Sequence, residues 1–103
     1  MDQALPPELL RQSELTGAFA YIKEAARITK ERVKDEGLSR RAAYLFETIR
    51  LLCLTNRENI NQLRLLAGQL LMGVAEAGRN ENRELLKREI EYVREELGQF
   101  FLN

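Results

Sequence analysis

Histidine is absent from this 103-residue sequence, and cysteine occurs once, at Cys53. Without an imidazole there is no His-based acid–base pair, no Ser-His-Asp triad and no histidine-held metal. A single thiol can neither close an internal disulfide nor assemble a structural zinc site. Cys53 stands in the most apolar part of the chain with no histidine to activate it, and it reads as a small buried hydrophobe. Glycine-rich phosphate loops are missing as well. No GxxxxGK[ST] occurs, and Gly68, Gly73 and Gly78 fall at five-residue steps behind no strand.

Charge of one sign is also lacking. Sixteen basic and sixteen acidic side chains cancel to zero, which removes any long-range pull toward nucleic acid or an anionic membrane. Neutrality leaves little repulsion between copies and mildly favours self-association. Long apolar runs do not occur either. Leu65 to Ala75 is uncharged for 11 residues and contains Gln69, against the roughly 20 residues a membrane-spanning helix needs. The start, MDQALPPELL, has neither the basic opening nor the apolar core of a signal peptide, so the expectation is a cytoplasmic protein without membrane contact. No helix with a large apolar face carries the lysine-rich polar face of a membrane-surface binder.

What remains is helix. Charged residues make up 31% and apolar residues 45% of the chain, a globular balance. Strict alternation over a useful length is nowhere seen, while 3-4 spacing runs throughout. The expectation is one all-α domain over 1–103, an antiparallel bundle of four helices at about 7–36, 39–54, 56–77 and 81–101.

Pro6-Pro7-Glu8 opens the first helix, where proline loses no needed hydrogen bond. Leu15, Phe19, Ile22, Ala26, Thr29 and Val33 form its seam, with Ala18 and Ala25 beside it. Its end, KERVKDE, is charged except for Val33 and points toward solvent, and Gly37 closes it in left-handed geometry. Ser39 caps the second helix, whose seam is Ala42, Leu45, Ile49 and Leu52. Thr55-Asn56-Arg57-Glu58 matches the capping box S/T-x-x-E and marks a break. The competing arrangement, one helix from Ser39 to Ala77 and so a three-helix bundle, would carry Asn56 and Asn59 onto the seam at a cost. Ile60, Leu63, Ala67, Leu70, Val74 and Ala77 line the third helix. Gly68 and Gly73 each cost about 1 kcal/mol of helix propensity there, which close helix approach would offset. Gly78 to Asn82 is a turn, and Leu86, Ile90, Val93, Leu97 and Phe100 form the last seam. Glu84–Arg88 and Lys87–Glu91 are i,i+4 pairs outside it.

The second and third helices hold more apolar surface than a four-helix core requires. Ala42 to Leu54 counts ten apolar residues in thirteen, against about three in seven for a bundle helix. Tyr44, Leu51, Leu54, Leu65 and Met72 are the excess. Either these helices lie at the centre of the monomer and are covered on several sides, or the excess marks a protein-interaction module that holds a partner helix or a second copy, with a homodimer, which could complete the bundle, the first expectation of that kind. An adaptor, a small helical chaperone or a regulatory subunit would fit, with no cofactor and no catalysis.

Two alternatives have weaker support. A DNA-binding regulator could use the turn at Gly37–Ser39 with Arg40 and Arg41 at a helix start. The preceding helix is longer than that motif uses, and the following one has little polar face. Arg57, Arg64, Arg79, Arg83, Arg88 and Arg94 could form a patch, but Glu58, Glu76, Glu81, Glu84, Glu89 and Glu91 interleave with them. A carboxylate metal enzyme could use Glu81 and Glu84 at i,i+3, although acids at a helix start are favoured by the dipole alone. Glu47, inside the apolar second helix, is expected to reach solvent or an arginine.

Overall fold

Val33 and Leu38 are both buried, yet five positions apart they cannot share one helical face. The chain reverses between them. The computed structural model describes residues 7–80 and 83–101, with side chains described over 15–78 and 83–101. Among these, four helices occur: α1 (Pro7–Arg32), α2 (Glu36–Thr55), α3 (Ile60–Asn80) and α4 (Arg83–Gly98), with a 3-10 turn at Arg57–Asn59 between α2 and α3. No strand is present among the described residues. The protein is an all-α helical bundle.

The first reversal differs from the sequence expectation. Asp35, not Ser39, caps α2. Its carboxylate accepts from the Leu38 amide at 3.1 Å, and Glu36 follows in the first turn, where an acid suits the dipole. Gly37 and Ser39 therefore lie inside the first turn of α2 rather than in a loop, and the Ser39 amide already donates to the Asp35 carbonyl. A short polar side chain that bonds backbone two or three residues ahead diverts the chain from continuing its helix. The first helix consequently stops at Arg32, and Val33, the last residue of its expected seam, is buried just beyond the helix end.

The second break is real, so the continuous-helix arrangement does not occur, but the capping box is not what makes it. The Thr55 hydroxyl turns back to the Leu52 carbonyl at 3.4 Å. Asn56 ends α2 by donating both its amide and its Nδ2 to that same carbonyl, at 2.8 and 3.2 Å. After the 3-10 turn α3 begins at Ile60 and runs to Asn80, so Gly78 is helical rather than the start of a turn. Residues 81–82, the rest of that expected turn, lie outside the described residues.

Each consecutive pair forms an antiparallel hairpin. The Arg50 guanidinium lies 5.5 Å from the Phe19 ring centroid, which sets the far ends of α1 and α2 against each other. Gly73 of α3 meets Leu86 and Glu89 of α4. The two hairpins lie side by side with like directions adjacent. Gly68 sits against the Tyr21 hydroxyl and Gly78 against Arg32, so α3 runs alongside α1 in the same sense. Asp35–Arg83 (3.7 Å) and Arg41–Glu91 (2.6 Å) align α2 with α4 in the same way. In the middle, α2 and α3 touch directly, which places α1 and α4 on opposite sides of that pair.

The core follows the seams closely in three helices. Ala42, Leu45, Ile49 and Leu52 of α2 are buried, together with Phe46 and Cys53. Ile60, Leu63, Ala67, Leu70 and Val74 of α3 are buried, and all five seam residues of the α4 segment are as well. In α1 the buried line is Ala18, Ile22, Ala25, Thr29 and Val33, while Leu15, Phe19 and Ala26 are half-buried. The small residues expected beside that seam are the seam itself, because α1 approaches both α2 and α3 and leaves little room for large side chains.

Candidate interaction surfaces

The five excess apolar residues are all exposed: Tyr44 72%, Leu51 50%, Leu54 41%, Leu65 74% and Met72 70%. They do not form one surface. On α2, Tyr44, Leu51 and Leu54 step by 7 and 3 positions along the side opposite Ala42, Ile49 and Cys53. On α3, Leu65 and Met72 are seven apart on the side opposite Leu63, Leu70 and Val74. Since α2 and α3 meet through their buried sides, the two exposed stripes look outward in opposite directions.

The α3 stripe lies in a concavity. A groove of about 1340 Å³ runs along the outer side of α3, edged by Tyr21 of α1 and by Tyr92, Glu96 and Phe100 at the α4 end. Leu65, Leu66 and Met72 give it apolar contact area, and Tyr92, 44% exposed, adds an aromatic ring. Periodicity does not single out Tyr92, which stands off the Leu86–Ile90–Val93–Leu97 seam. An aromatic on the polar side of an otherwise charged helix is the signal that could have found it.

The groove owes part of its shape to Gly73. A Cβ there would stand 3.0 Å from the Glu89 Cγ and 3.2 Å from its Cβ, so the glycine lets Glu89 lie across α3. Close helix approach is thus borne out at Gly73. At Gly68 the near atom is the Tyr21 hydroxyl, at an ordinary 3.4 Å. Glu89 Oε2 is fully covered and has no hydrogen-bond partner. Among the described residues the charged lining of the groove is Arg64, Glu76, Glu89 and Glu96, of which Glu76 has an interaction of its own.

A smaller groove of about 590 Å³ separates α1 from α2, lined by Phe19, Ile22, Ala26 and the stems of Lys23, Lys30 and Arg50. Its ions are mostly paired on their own helices. Arg27 bonds Glu24 and, at 2.6 Å, Glu31. Arg50 bonds Glu47, whose carboxyl is held below its usual range chiefly by that hydrogen bond. Glu47 thus reaches an arginine in solvent, as its sequence context suggested.

Of the DNA-binding pair, Arg40 is exposed and Arg41 is tied to Glu91 of α4. The turn that such a motif would use falls at 33–35, ahead of Gly37–Ser39. Glu81 lies outside the described residues, and Glu84 is exposed beside Lys87 at 3.5 Å. That contact replaces the expected Glu84–Arg88 pair, just as Glu91 turns to Arg41 rather than Lys87. No cluster of metal-ligating side chains exists among the described residues, and no described helix is long and apolar enough to cross a membrane. Cys53 is buried, and burial pushes its thiol up, with Arg64 opposing.

No protein-family model, characterised protein or solved structure matches this chain.

Proposed function

We propose that this protein acts by binding another protein in the cytoplasm, and that the groove along α3 and α4 receives an amphipathic helix. The observation that carries the reading is the coincidence of large exposed side chains with a concave surface. Leu65, Met72 and Tyr92 line a groove that the bundle's own core does not need filled. An apolar stripe inside a groove supplies what a helix in a groove requires: anchors at helical spacing with polar residues at the edges. Met72 suits the role, since its unbranched thioether adapts to the shape it meets. The direct test is a titration with an amphipathic helical peptide, followed by methyl NMR. Shifts confined to Leu65, Leu66, Met72 and their α4 neighbours are expected. Shifts centred on Tyr44 and Leu51, or none, would count against it.

A second reading has its own support. Tyr44, Leu51 and Leu54 form a separate exposed stripe on α2, outside the groove. Such a flat stripe suits two-fold pairing of α2 with α2 of a second copy, in which the same patch serves both partners. Sedimentation of wild-type protein against Leu51→Asp checks it. The two surfaces are independent, so a homodimer through α2 leaves the α3–α4 groove free.

A further inference from the structure

We infer that the helix received by the α3–α4 groove carries a lysine or arginine within its apolar stripe, positioned to meet Glu89. This rests on the groove reading above and adds the chemistry of the partner to it. A carboxylate oxygen that is fully covered without a donor has lost its water and gained nothing in return, which is unfavourable for a charged group. Glu89 is nevertheless built into place: Gly73 leaves the space in which its Cβ and Cγ rest. Among the described lining residues, and leaving aside Glu76, which has an interaction of its own, Glu89 and Glu96 face the single cation Arg64, so the local field attracts a positive group and repels a negative one. Leu65, Met72 and Tyr92 line the same groove and give it apolar area. A partially dehydrated carboxylate amid apolar side chains interacts with an arriving cation more strongly than one in open water does. The complementary ligand is therefore apolar along one face with a single basic residue inside that face. An all-apolar helix would leave Glu89 unpaired and more deeply buried, and an acidic one would add repulsion.

The experiment uses three designed leucine–alanine amphipathic peptides of about 20 residues, long enough to be helical. They are identical except for lysine, glutamine or glutamate at the centre of the apolar stripe. Each is titrated by calorimetry into wild-type protein and into Glu89→Gln, which keeps the shape and removes the charge. The lysine peptide is expected to bind wild type about tenfold more tightly than the glutamine peptide, with the glutamate peptide weakest. That preference should disappear in Glu89→Gln. Equal binding of all three peptides to wild type, or a lysine preference that persists in Glu89→Gln, overturns the inference while leaving the groove reading in place. Absence of binding by every peptide overturns both. Sedimentation of the protein alone covers the remaining occupant: a dimer that Glu89→Gln or Leu65→Asp dissolves would seat a second copy in the groove and overturn the inference.

Discussion

Gly73 on α3 and Glu89 on α4 are packed so that a single added methyl group would press on the glutamate stem, 3.0 Å from its Cγ, and stand 3.5 Å from the Leu86 Cα. The contact joins fold and site: it fixes how closely α4 lies on α3 and where the groove's unpaired carboxylate sits. Here the close contact offsets the propensity cost of a glycine inside a helix.

Two glycines should therefore respond in opposite directions. Gly17 in α1 is exposed, and a methyl group added there would have nothing within 4 Å. Gly17→Ala should stabilise by about 0.5–1 kcal/mol through helix propensity. Gly73→Ala gains the same propensity but must move Glu89 or α4, and overpacking of that kind costs about 1–3 kcal/mol. A net loss is expected. Urea unfolding followed by circular dichroism reads both, and stabilisation by Gly73→Ala would show that the close approach is not tight.

The start of α2 offers a similar contrast. Asp35→Ala should cost about 1 kcal/mol, because the Leu38 amide loses its capping carboxylate. Ser39→Ala, within the first turn, should change stability by less than about 0.5 kcal/mol. The reverse order would return the cap to Ser39.

Thr29 is the buried polar side chain of the core among the described residues, fully covered, with its hydroxyl donating to the Ala25 carbonyl at 2.8 Å. That bond stays within α1 and ties no second helix. Thr29→Val replaces it by an apolar group of the same shape and should be neutral to within about 0.5 kcal/mol. Thr29→Ser keeps the hydroxyl, removes a buried methyl and should cost about 1 kcal/mol. Thermal unfolding of the two variants separates a packing role from a hydrogen-bonding one.

Cys53 should be inert in the folded protein. Its side chain is covered and burial holds its thiol in the protonated form, whereas alkylation requires the thiolate. Iodoacetamide at about pH 8, below the ordinary thiol range, is expected to label it only as urea unfolds the chain. Rapid labelling in native buffer would place the thiol at the surface.

The fold is readable in the sequence where one helix meets one dominant neighbour face. The α4 seam, Leu86 to Phe100, and the α3 seam from Ile60 to Val74 follow simple 3-4 spacing and are buried as expected. Legibility is partial in α1: Ile22, Thr29 and Val33 of the expected line are buried, but the small Ala18 and Ala25 are covered while the larger Phe19 is half-buried. Hydrophobic size points to the wrong line when two helices approach closely. Helix ends are also displaced from their expected positions, because Asp35 and Asn56 act through backbone bonds that several neighbouring polar residues could equally have made. The exposed residues Leu65 and Met72 are visible as excess over the seam. Their separation from Tyr44 and Leu51 is not, since it depends on which helices touch. Nor is Glu89, whose role depends on Gly73 across a helix interface.

The binding groove is the central claim, and one comparison tests it directly. The lysine-bearing peptide is titrated into wild-type protein, Leu65→Asp and Leu51→Asp, all three first shown by circular dichroism to be equally helical. Leu65 is 74% and Leu51 50% exposed, so neither change should disturb the core. Saturable binding to wild type and to Leu51→Asp, with affinity reduced at least about tenfold in Leu65→Asp, is the predicted result. Equal affinity for all three proteins, or loss in Leu51→Asp with Leu65→Asp unaffected, would contradict it.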